Sequence, residues 1–158
     1  MIGLISDTHE QKEDIKKAVQ IFKEKKVDFV IHAGDIISPP TLRLFSGLNM
    51  KAVFGNNDGE KNGLNRAAKE IGSEDLSDFK EFTYKKKKFF VYHGHNEFFL
   101  QEKVKSNEYD YIITGHTHVK MDEKIENTRL INPGALYAFK KSIAILDVEN
   151  DKLIFEEW

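Results

Sequence analysis

Short apolar segments of strand length recur along almost the whole chain, and they constrain its fold more than any other feature. Several are nearly continuous runs of Val, Ile, Phe and Tyr, a composition typical of strands that are buried on both faces of a sheet. We predict eight strands, at residues 2–5, 28–32, 51–54, 88–93, 109–114, 129–132, 142–148 and 153–155. Such strands need a covering layer on each side.

Helical patterns lie between the early strands. Apolar residues fall at the spacing of one helix face in two groups, Ile15, Ala18, Val19 and Phe22, and then Leu64, Ala67, Ala68 and Ile71. A third helix is predicted over residues 96–105, with Asn96 as its N-cap. Strands and helices alternate in the first half and strands dominate the second, which predicts a layered α/β protein. No linker or repeat interrupts the pattern, so we expect residues 1–158 to form one domain.

Composition narrows the range of functions. The net charge of −2 provides no general basic surface of the kind that nucleic-acid-binding proteins carry, so we expect no nucleic-acid partner. The chain contains no cysteine, which excludes disulfides, thiolate metal sites and a cysteine nucleophile. A metal ion could therefore be held only by nitrogen and oxygen ligands.

The sequence also lacks the marks of a membrane or secreted protein. No apolar run approaches the length of a membrane span, so we expect no membrane partner. The first residues lead directly into polar ones, without the basic start, long apolar stretch and cleavage site of a signal peptide. The expected location is the cytoplasm.

Side chains that can bind metal follow five of the predicted strands. In α/β sheets ligands bind in the crevice beyond the carboxyl ends of the strands, so we expect these side chains to converge. The glycines beside them allow tight turns and a close approach of the backbone to a ligand. The five segments are Asp7-Thr8-His9, Gly34-Asp35, Gly55-Asn56-Asn57-Asp58, His93-Gly94-His95 and Gly115-His116-Thr117-His118.

Each segment alone has an ordinary structural explanation. An Asp-Thr-His segment after a strand can be a turn and a helix cap, and Gly-Asp or Asn-Asn-Asp is more often a turn than a ligand. His116 and His118 are a stronger signal, because alternate residues of an extended segment point to the same side. The hypothesis of a metal site depends on all five segments together.

In this order, the five segments resemble the signature of the calcineurin-like metallophosphoesterase superfamily, and the turn at Asn132-Pro133-Gly134 resembles it as well. The chain length is similar to that of the small single-domain archaeal and bacterial phosphodiesterases of this superfamily. The resemblance implies an α/β fold with four layers, α/β/β/α, in which two facing mixed β-sheets are flanked by helices.

The resemblance also implies a ligand set for two metal ions. Asp35 would bridge the ions, with Asp7, His9 and His118 on one of them and Asn56, His93 and His116 on the other. Four imidazoles, two carboxylates and one amide oxygen favour transition metals over Mg²⁺ or Ca²⁺. We expect two divalent transition-metal ions, with Mn²⁺ ranked ahead of Ni²⁺, Co²⁺, Fe²⁺ and Zn²⁺.

This ligand set suits the hydrolysis of a phosphate ester. Two ions roughly 3.5–4 Å apart can share a hydroxide, lower its pKa and present it in line with phosphorus. The same ions neutralise the charge that grows on the phosphoryl oxygens in the transition state. Together with the resemblance to the small phosphodiesterases, this ligand set predicts a metal-dependent phosphodiesterase that acts on a small phosphate ester.

One position departs from the family pattern. Many members carry a histidine directly after the asparagine ligand, where it stabilises the transition state or protonates the leaving group. Here that position is Asn57, which cannot act as a general acid near neutral pH. His95 is then the best candidate to contact the substrate or leaving group, while Asn57 can still donate a hydrogen bond to a phosphoryl oxygen.

Two further polar residues have structural explanations. His32 lies within an apolar strand, and we interpret it as a structural histidine with its hydrogen bonds satisfied, in preference to an eighth ligand. Asp58 is interpreted as a residue that caps or orients the turn carrying Asn56.

Other functions stay open at this point. A phosphomonoesterase would use the same centre, but would be expected to add cationic side chains. A non-catalytic scaffold resembling the small subunit of the retromer coat would share the fold with an impaired metal site, whereas all seven positions are filled here. A nuclease is disfavoured because the chain is close to neutral. The resemblance also implies a homodimer or larger homo-oligomer.

Overall fold

Two sheets of five strands each form the centre of the structure, a computed structural model that describes residues 1–158. In chain order the elements are β1 Ile2–Ile5, α1 Lys12–Glu24, β2 Val30–His32, α2 Pro39–Arg43, β3 Met50–Ala52, α3 Lys61–Glu70, β4 Phe79–Tyr84, β5 Lys87–Tyr92, α4 Glu97–Lys105, β6 Tyr111–Ile113, β7 Met121–Ile125, β8 Thr128–Asn132, β9 Ser142–Asp147 and β10 Lys152–Glu157.

Both sheets are mixed. The first has the order β10-β9-β1-β2-β3, in which β1, β2 and β3 are parallel. Strand β9 pairs antiparallel with β1, and β10 pairs antiparallel with β9. The second has the order β4-β5-β6-β8-β7, in which β5, β6 and β8 are parallel and the outer strands β4 and β7 are antiparallel to their neighbours. Each sheet therefore presents several carboxyl ends at one edge.

Three apolar clusters separate four layers. One lies between α1, α2, α3 and the first sheet, and a second joins the inner faces of the two sheets through residues such as Leu4, Ile31, Phe89 and Val91. The third packs α4 on the outer face of the second sheet and includes Leu100. The predicted α/β/β/α fold with two facing mixed sheets is confirmed.

All three predicted helices are present, and α4 occupies the predicted range with Asn96 at its N-cap. The four apolar residues that predicted α1 are its buried residues, and Ile71 of the second group lies just beyond the end of α3, partly buried. Asn96 caps α4, because its side chain accepts the backbone N–H of Phe99.

All eight predicted strands have a counterpart, with bounds that differ by at most two residues. The sequence patterns missed β4, β7 and the short helix α2. Both missed strands are sheet edges: β4 is half exposed along its length, and the middle of β7 is exposed. Edge strands of this kind carry no apolar run from which they could be found.

The longest helix, α1, has 13 residues, and no helix combines the length and the apolar character needed to cross a membrane.

Replacing Gly3 by alanine should destabilise the fold. A Cβ at Gly3 would lie 2.6 Å from Cδ1 of Phe22, the fully buried residue through which α1 packs on β1. Overpacking of this kind costs roughly 1–3 kcal/mol. We expect Gly3→Ala to lower the free energy of unfolding by about that amount in urea denaturation.

Gly59→Ala is the matched control, because a Cβ at Gly59 would meet nothing within 4 Å. An equal loss of stability in both variants would contradict the packing described between α1 and β1.

Candidate active site

The five polar segments converge where the parallel strands of both sheets end. The loops after β1, β2 and β3 approach from the first sheet, and those after β5 and β6 approach from the second. Backbone hydrogen bonds join neighbouring loops: Asp7 N–H donates to the Gly34 carbonyl at 3.0 Å, and Gly115 N–H donates to the His93 carbonyl at 2.9 Å. Neighbouring loops of each sheet are therefore fixed to one another by their backbones at the base of the site.

One cluster of potential metal ligands consists of Asp7, His9 and His118. Their ligand atoms all lie within 4.8 Å of one another, and Nε2 of His118 is 3.2 Å from Oδ1 of Asp7. Asp7 is fully buried, while the two histidine side chains are 20% and 33% exposed. The cluster therefore has a buried carboxylate at its base, and solvent reaches it from the side of the two histidines.

A second cluster shares Asp7 and adds Asp35 and His93. Nε2 of His93 lies 3.5 Å from Oδ1 of Asp35 and 3.0 Å from Oδ1 of Asn56. The other Asp35 oxygen, Oδ2, is 3.5 Å from Nε2 of His9. Asp35 therefore lies between a histidine of the first cluster and a histidine of the second.

His116 and His95 lie at the edge of this group. The imidazole of His116 belongs to neither cluster and packs against His93 with ring centroids 5.2 Å apart. His95 is largely exposed but packs on one side against the site, with its ring 5.7 Å from that of His93. Partial burial, together with the nearby His93 and His116, lowers the pKa of His95 below its ordinary value. Both side chains can reach a molecule that binds over the clusters.

Several potential ligand atoms at the centre have no hydrogen-bond donor within the protein. Nδ1 of His93 lies 2.7 Å from the Ala33 carbonyl and must donate there, so a neutral ring directs the Nε2 lone pair towards Asn56 Oδ1. Asp7 Oδ1 and His9 Nε2 are buried without any hydrogen-bond partner. A buried carboxylate oxygen and a buried imidazole nitrogen that have no partner in the protein are atoms that a divalent cation can satisfy. The residues present therefore fit divalent metal ions.

The two oxygens of Asp7 have different environments. Oδ2 accepts the hydroxyl of Ser6 at 2.6 Å and the backbone N–H of His116 at 3.0 Å, whereas Oδ1 faces the clusters. These two donors orient the carboxylate and leave one oxygen for a cation. The sequence motifs did not predict a role for Ser6. Its position directly before Asp7 is the only feature of the sequence that points to one.

The backbone at the candidate ligands is unusual. Left-handed φ values occur at Asp7 (49°), His9 (43°), Asp35 (59°), His116 (68°) and His118 (59°). Residues other than glycine rarely adopt this conformation, although Asp and His tolerate it better than most, and it is concentrated at functional sites. The fold holds these side chains in place against a local conformational preference.

Asp58 joins the loops after β2 and β3, as expected for a residue that orients the Asn56 turn. Its buried carboxylate accepts four backbone N–H groups, those of Asp35 (2.9 Å), Ile36 (2.8 Å), Ile37 (2.7 Å) and Gly55 (2.7 Å). No other side chain in the chain accepts so many backbone hydrogen bonds. Asp58 therefore sets the separation of two of the ligand-bearing loops.

Asn57 contacts Asp35 directly. Its side-chain Nδ2 donates to Oδ2 at 2.7 Å and its backbone N–H donates to Oδ1 at 3.0 Å. Burial by itself would raise the pKa of Asp35, but these hydrogen bonds and the nearby His93 and His9 outweigh it and hold the pKa below its ordinary value. Asp35 is therefore kept as a carboxylate.

His32 is a structural residue, as predicted. Its Nδ1 accepts the backbone N–H of Gly34 at 3.2 Å, so Nε2–H donates to the hydroxyl of Thr8 at 3.0 Å. Complete burial, reinforced by the nearby His93, lowers the pKa of His32 to about 3 and keeps the ring neutral. Both nitrogens are used within the protein, and none is left for a metal.

Tyr137 is a site residue that the sequence did not reveal. Its ring stacks on His9 with centroids 4.3 Å apart, and its backbone N–H donates to the Asp7 carbonyl at 2.9 Å. It follows the turn that begins at Asn132, whose side chain donates to the Gly115 carbonyl at 2.8 Å. The resemblance of that turn to the family was the only signal that the following loop would reach the site.

Asp58→Asn should destabilise the protein strongly. Each oxygen of Asp58 accepts two N–H groups, so an amide nitrogen in either position leaves two buried donors unsatisfied. At about 1–3 kcal/mol per group, two such groups should lower the free energy of unfolding by roughly 2–6 kcal/mol, as measured by urea denaturation.

Asp147→Asn is the matched control, because Asp147 also accepts backbone N–H groups, those of Glu149 and Asn150, but in a surface turn. A loss of stability no larger than in this control would contradict the role of Asp58 in joining the two loops.

Comparison with known proteins supports the same assignment. The model of the calcineurin-like phosphoesterase superfamily domain matches residues 1–151. A protein named phosphodiesterase from Methanocaldococcus jannaschii is 39% identical over 154 residues, which cover 94% of this chain and 93% of that protein. A probable metallophosphoesterase from the same organism is 33% identical and covers 97% and 78% of the two chains.

Solved structures agree. A structure described as a novel archaeal phosphodiesterase superposes with a TM-score of 0.94, 36% identity and 99% coverage of both chains. Vps29 of Chaetomium thermophilum shares only the fold, with a TM-score of 0.73, 16% identity, and coverage of 99% of this chain and 96% of that one. The family match and the relative at 39% identity confirm the predicted resemblance and show that this chain belongs to the calcineurin-like phosphoesterase superfamily, whose chemistry uses divalent metal ions.

Proposed function

We propose that this chain is a phosphodiesterase that hydrolyses a small phosphate ester with two divalent metal ions. The observation that carries this proposal is that two buried atoms of the clusters, Asp7 Oδ1 and His9 Nε2, have no hydrogen-bond partner in the protein. The similarity to a protein named phosphodiesterase supports the reaction type.

The proposed ligands follow the two clusters. Asp7, His9 and His118 would hold one ion, and His93 and Asn56 would contribute to the other. Asp35 would bridge them, a role supported by its oxygens facing His9 and His93 at 3.5 Å each. His116, whose ring packs beside that of His93, would complete the second ion's ligands from the open side. We rank Mn²⁺ first, followed by Ni²⁺, Co²⁺, Fe²⁺ and Zn²⁺.

The chain's own residues prepare this site before any substrate arrives. Ser6 and the backbone of the His116 loop hold one Asp7 oxygen, so the other stays directed at the centre. The Ala33 carbonyl fixes the tautomer of His93, and Asn57 orients Asp35. When bound, two divalent ions would acidify a shared water and neutralise charge on the phosphoryl oxygens.

The surroundings favour a diester over a monoester. A monoester dianion would be gripped by additional cationic side chains, yet the arginines are occupied elsewhere or exposed. Arg43 pairs with Glu70, and Arg129 pairs with Asp122 and Asp151. Arg66 lies on the exposed side of α3. The metal ions would therefore provide most of the positive charge, which matches the single negative charge of a diester.

His95 and Asn57 are the proposed residues that act on the substrate. His95 stands at the open edge beside His93 and His116, where a leaving group would emerge. An anionic phosphate bound next to it would favour its protonated form and allow it to donate a hydrogen bond to the leaving oxygen. Asn57 would donate to a phosphoryl oxygen with the amide proton that Asp35 does not use.

The remaining predictions from the sequence are proposals too. We propose that residues 1–158 act as one domain, that the protein forms a homodimer or larger homo-oligomer, and that it works in the cytoplasm without nucleic-acid or membrane partners.

The first test is metal-dependent hydrolysis. Metal-free protein refilled with Mn²⁺, Ni²⁺, Co²⁺, Zn²⁺ or Mg²⁺ should hydrolyse bis-p-nitrophenyl phosphate faster than p-nitrophenyl phosphate, with Mn²⁺ most effective. Asp35→Ala and His116→Ala should each reduce diester turnover by more than about 100-fold, since both remove a proposed ligand.

Glu149→Ala is the control, because Glu149 is an exposed carboxylate in the turn after β9, where it pairs with Lys85 at the end of the sheets away from the site. Elemental analysis of the refilled protein should find two ions per chain. Folded protein that turns over neither ester with any of these metals would refute the proposal.

A second test addresses His95. If it donates a proton to the leaving group, His95→Gln should slow a diester with a poor leaving group much more than one with p-nitrophenolate, which needs no proton. We expect the ratio of kcat values for p-nitrophenyl and phenyl diesters to rise by about 10²-fold or more in the variant. Equal slowing of both substrates would show instead that His95 binds the phosphate or is structural.

A further inference from the structure

Two of the exposed large apolar side chains lie in one short loop beside the metal clusters. Tyr137 is 53% exposed, and Phe139 is fully exposed. Neighbouring exposed aromatic side chains beside a reaction centre form the kind of apolar surface that is typical of ligand-binding sites. The loop contains no other large apolar side chain that is exposed.

The two aromatic residues line one cavity of about 360 Å³. Its other lining includes Gln11, at the N-terminus of α1, and Lys141. A volume of this size lies within the range of small-molecule sites, roughly 300–1,000 Å³. The cavity is therefore large enough for an aromatic group packed against these side chains.

The cavity is directly connected to the candidate active site through Tyr137. One face of this ring stacks on His9, at 4.3 Å between centroids, and the ring also forms part of the cavity wall. A phosphate over the metal clusters and a group in the cavity would be separated by about one ring. A substrate that fills both places needs a short connecting unit, such as the sugar of a nucleotide.

The wall is held in place before the substrate arrives. Tyr137 N–H donates to the Asp7 carbonyl at 2.9 Å, and Leu136 beside it is fully buried. The ammonium group of Lys141 donates to the Ala138 carbonyl at 2.8 Å and closes the loop. Because the loop is ordered in advance, little conformational entropy is lost when a ligand stacks on it.

Gln11 adds a polar group to this aromatic cavity. Although it occupies the N-cap position of α1, its side chain makes no capping hydrogen bond. A free amide offers both a donor and an acceptor, which is the pairing that glutamine uses on the edges of nucleobases. A plain hydrocarbon group could not use it, whereas a heteroaromatic base could.

We propose that this cavity binds the nucleobase of a nucleoside phosphodiester whose phosphate lies at the metal clusters. The inference rests on the proposed phosphodiesterase function and names the substrate class: one ester group of the diester is a nucleoside. Tyr137 and Phe139 stack with the base, and Gln11 pairs with its edge. Tyr137 and Phe139 are therefore specificity residues, since they touch the substrate away from the bond that is broken.

The test compares two diesters that release the same leaving group. Thymidine 5′-(p-nitrophenyl phosphate) and methyl p-nitrophenyl phosphate both yield p-nitrophenolate, so the ratio of their kcat/KM values reports only the second ester group. Stacking on an aromatic side chain is worth enough for a ratio on the order of tenfold or more in the metal-loaded protein. Phe139→Ser and Tyr137→Leu should each bring this ratio towards one.

Phe98→Ser is the matched control, because Phe98 is 81% exposed on α4 and lines a different surface cavity. Its ratio should equal that of the unmodified protein. Use of a ratio also cancels any effect of Tyr137→Leu on the neighbouring His9.

A second readout needs neither metal nor turnover. Saturation-transfer NMR of adenosine with the metal-free protein should show transfer to the base protons, and Phe139→Ser should abolish it. Sedimentation of the same variants tests whether a second copy of the chain covers the loop instead.

The outcomes separate the two proposals. No turnover of methyl p-nitrophenyl phosphate would refute the phosphodiesterase function itself. Turnover of that ester with a ratio near one, or a ratio unchanged in both aromatic variants, would overturn the nucleobase site alone. Dissociation of an oligomer by Phe139→Ser with an unchanged ratio would overturn it as well, and would assign the loop to a contact between copies.

Discussion

Apolar side chains between the two sheets bring together ligand residues that are far apart in the chain. Leu4 of β1 and Val91 of β5 belong to the same buried cluster, and their strands end in the loops that carry Asp7 and His93. The backbone of His116 hydrogen-bonds to Asp7 across 109 residues of sequence. If this packing were lost, the carboxylates and imidazoles would separate, so the active site depends on the hydrophobic contact beneath it.

The loops that carry the ligand residues adopt backbone conformations that are unfavourable in isolation. Left-handed backbone at Asp7, Asp35 and His118 costs free energy. Buried polar atoms without a hydrogen-bond partner, Asp7 Oδ1 and His9 Nε2, add to this cost in the absence of a cation. Buried hydrogen bonds to Asp58 and Asn132 hold the loops in this arrangement. A bound divalent ion would relieve the repulsion among the acceptors, so metal binding and stability of these loops should be linked.

Much of the fold was predictable because buried strands and amphipathic helices leave periodic patterns. The buried face of α1 and the cap at Asn96 followed directly from residue spacing and type. The edge strands β4 and β7 could not be predicted in this way. A half-exposed strand forms because it pairs with a neighbouring strand, and its own composition carries little signal. The same limit applies to Tyr137, whose importance arises from contact with His9, a residue remote in sequence.

The available chemistry follows from the amino-acid sequence alone: an ordered set of aspartates, histidines and an asparagine, with no thiol, lies after successive strands. The fold class follows from the sequence too, because local periodicity and the family signature are properties of the chain alone. Folding of the whole chain was needed to establish which oxygen of Asp7 is free, how Asp58 and Asn57 hold Asp35, and which aromatic side chains lie beside the site. Those features are distances between residues far apart in sequence, and such distances exist only once the sheets have packed.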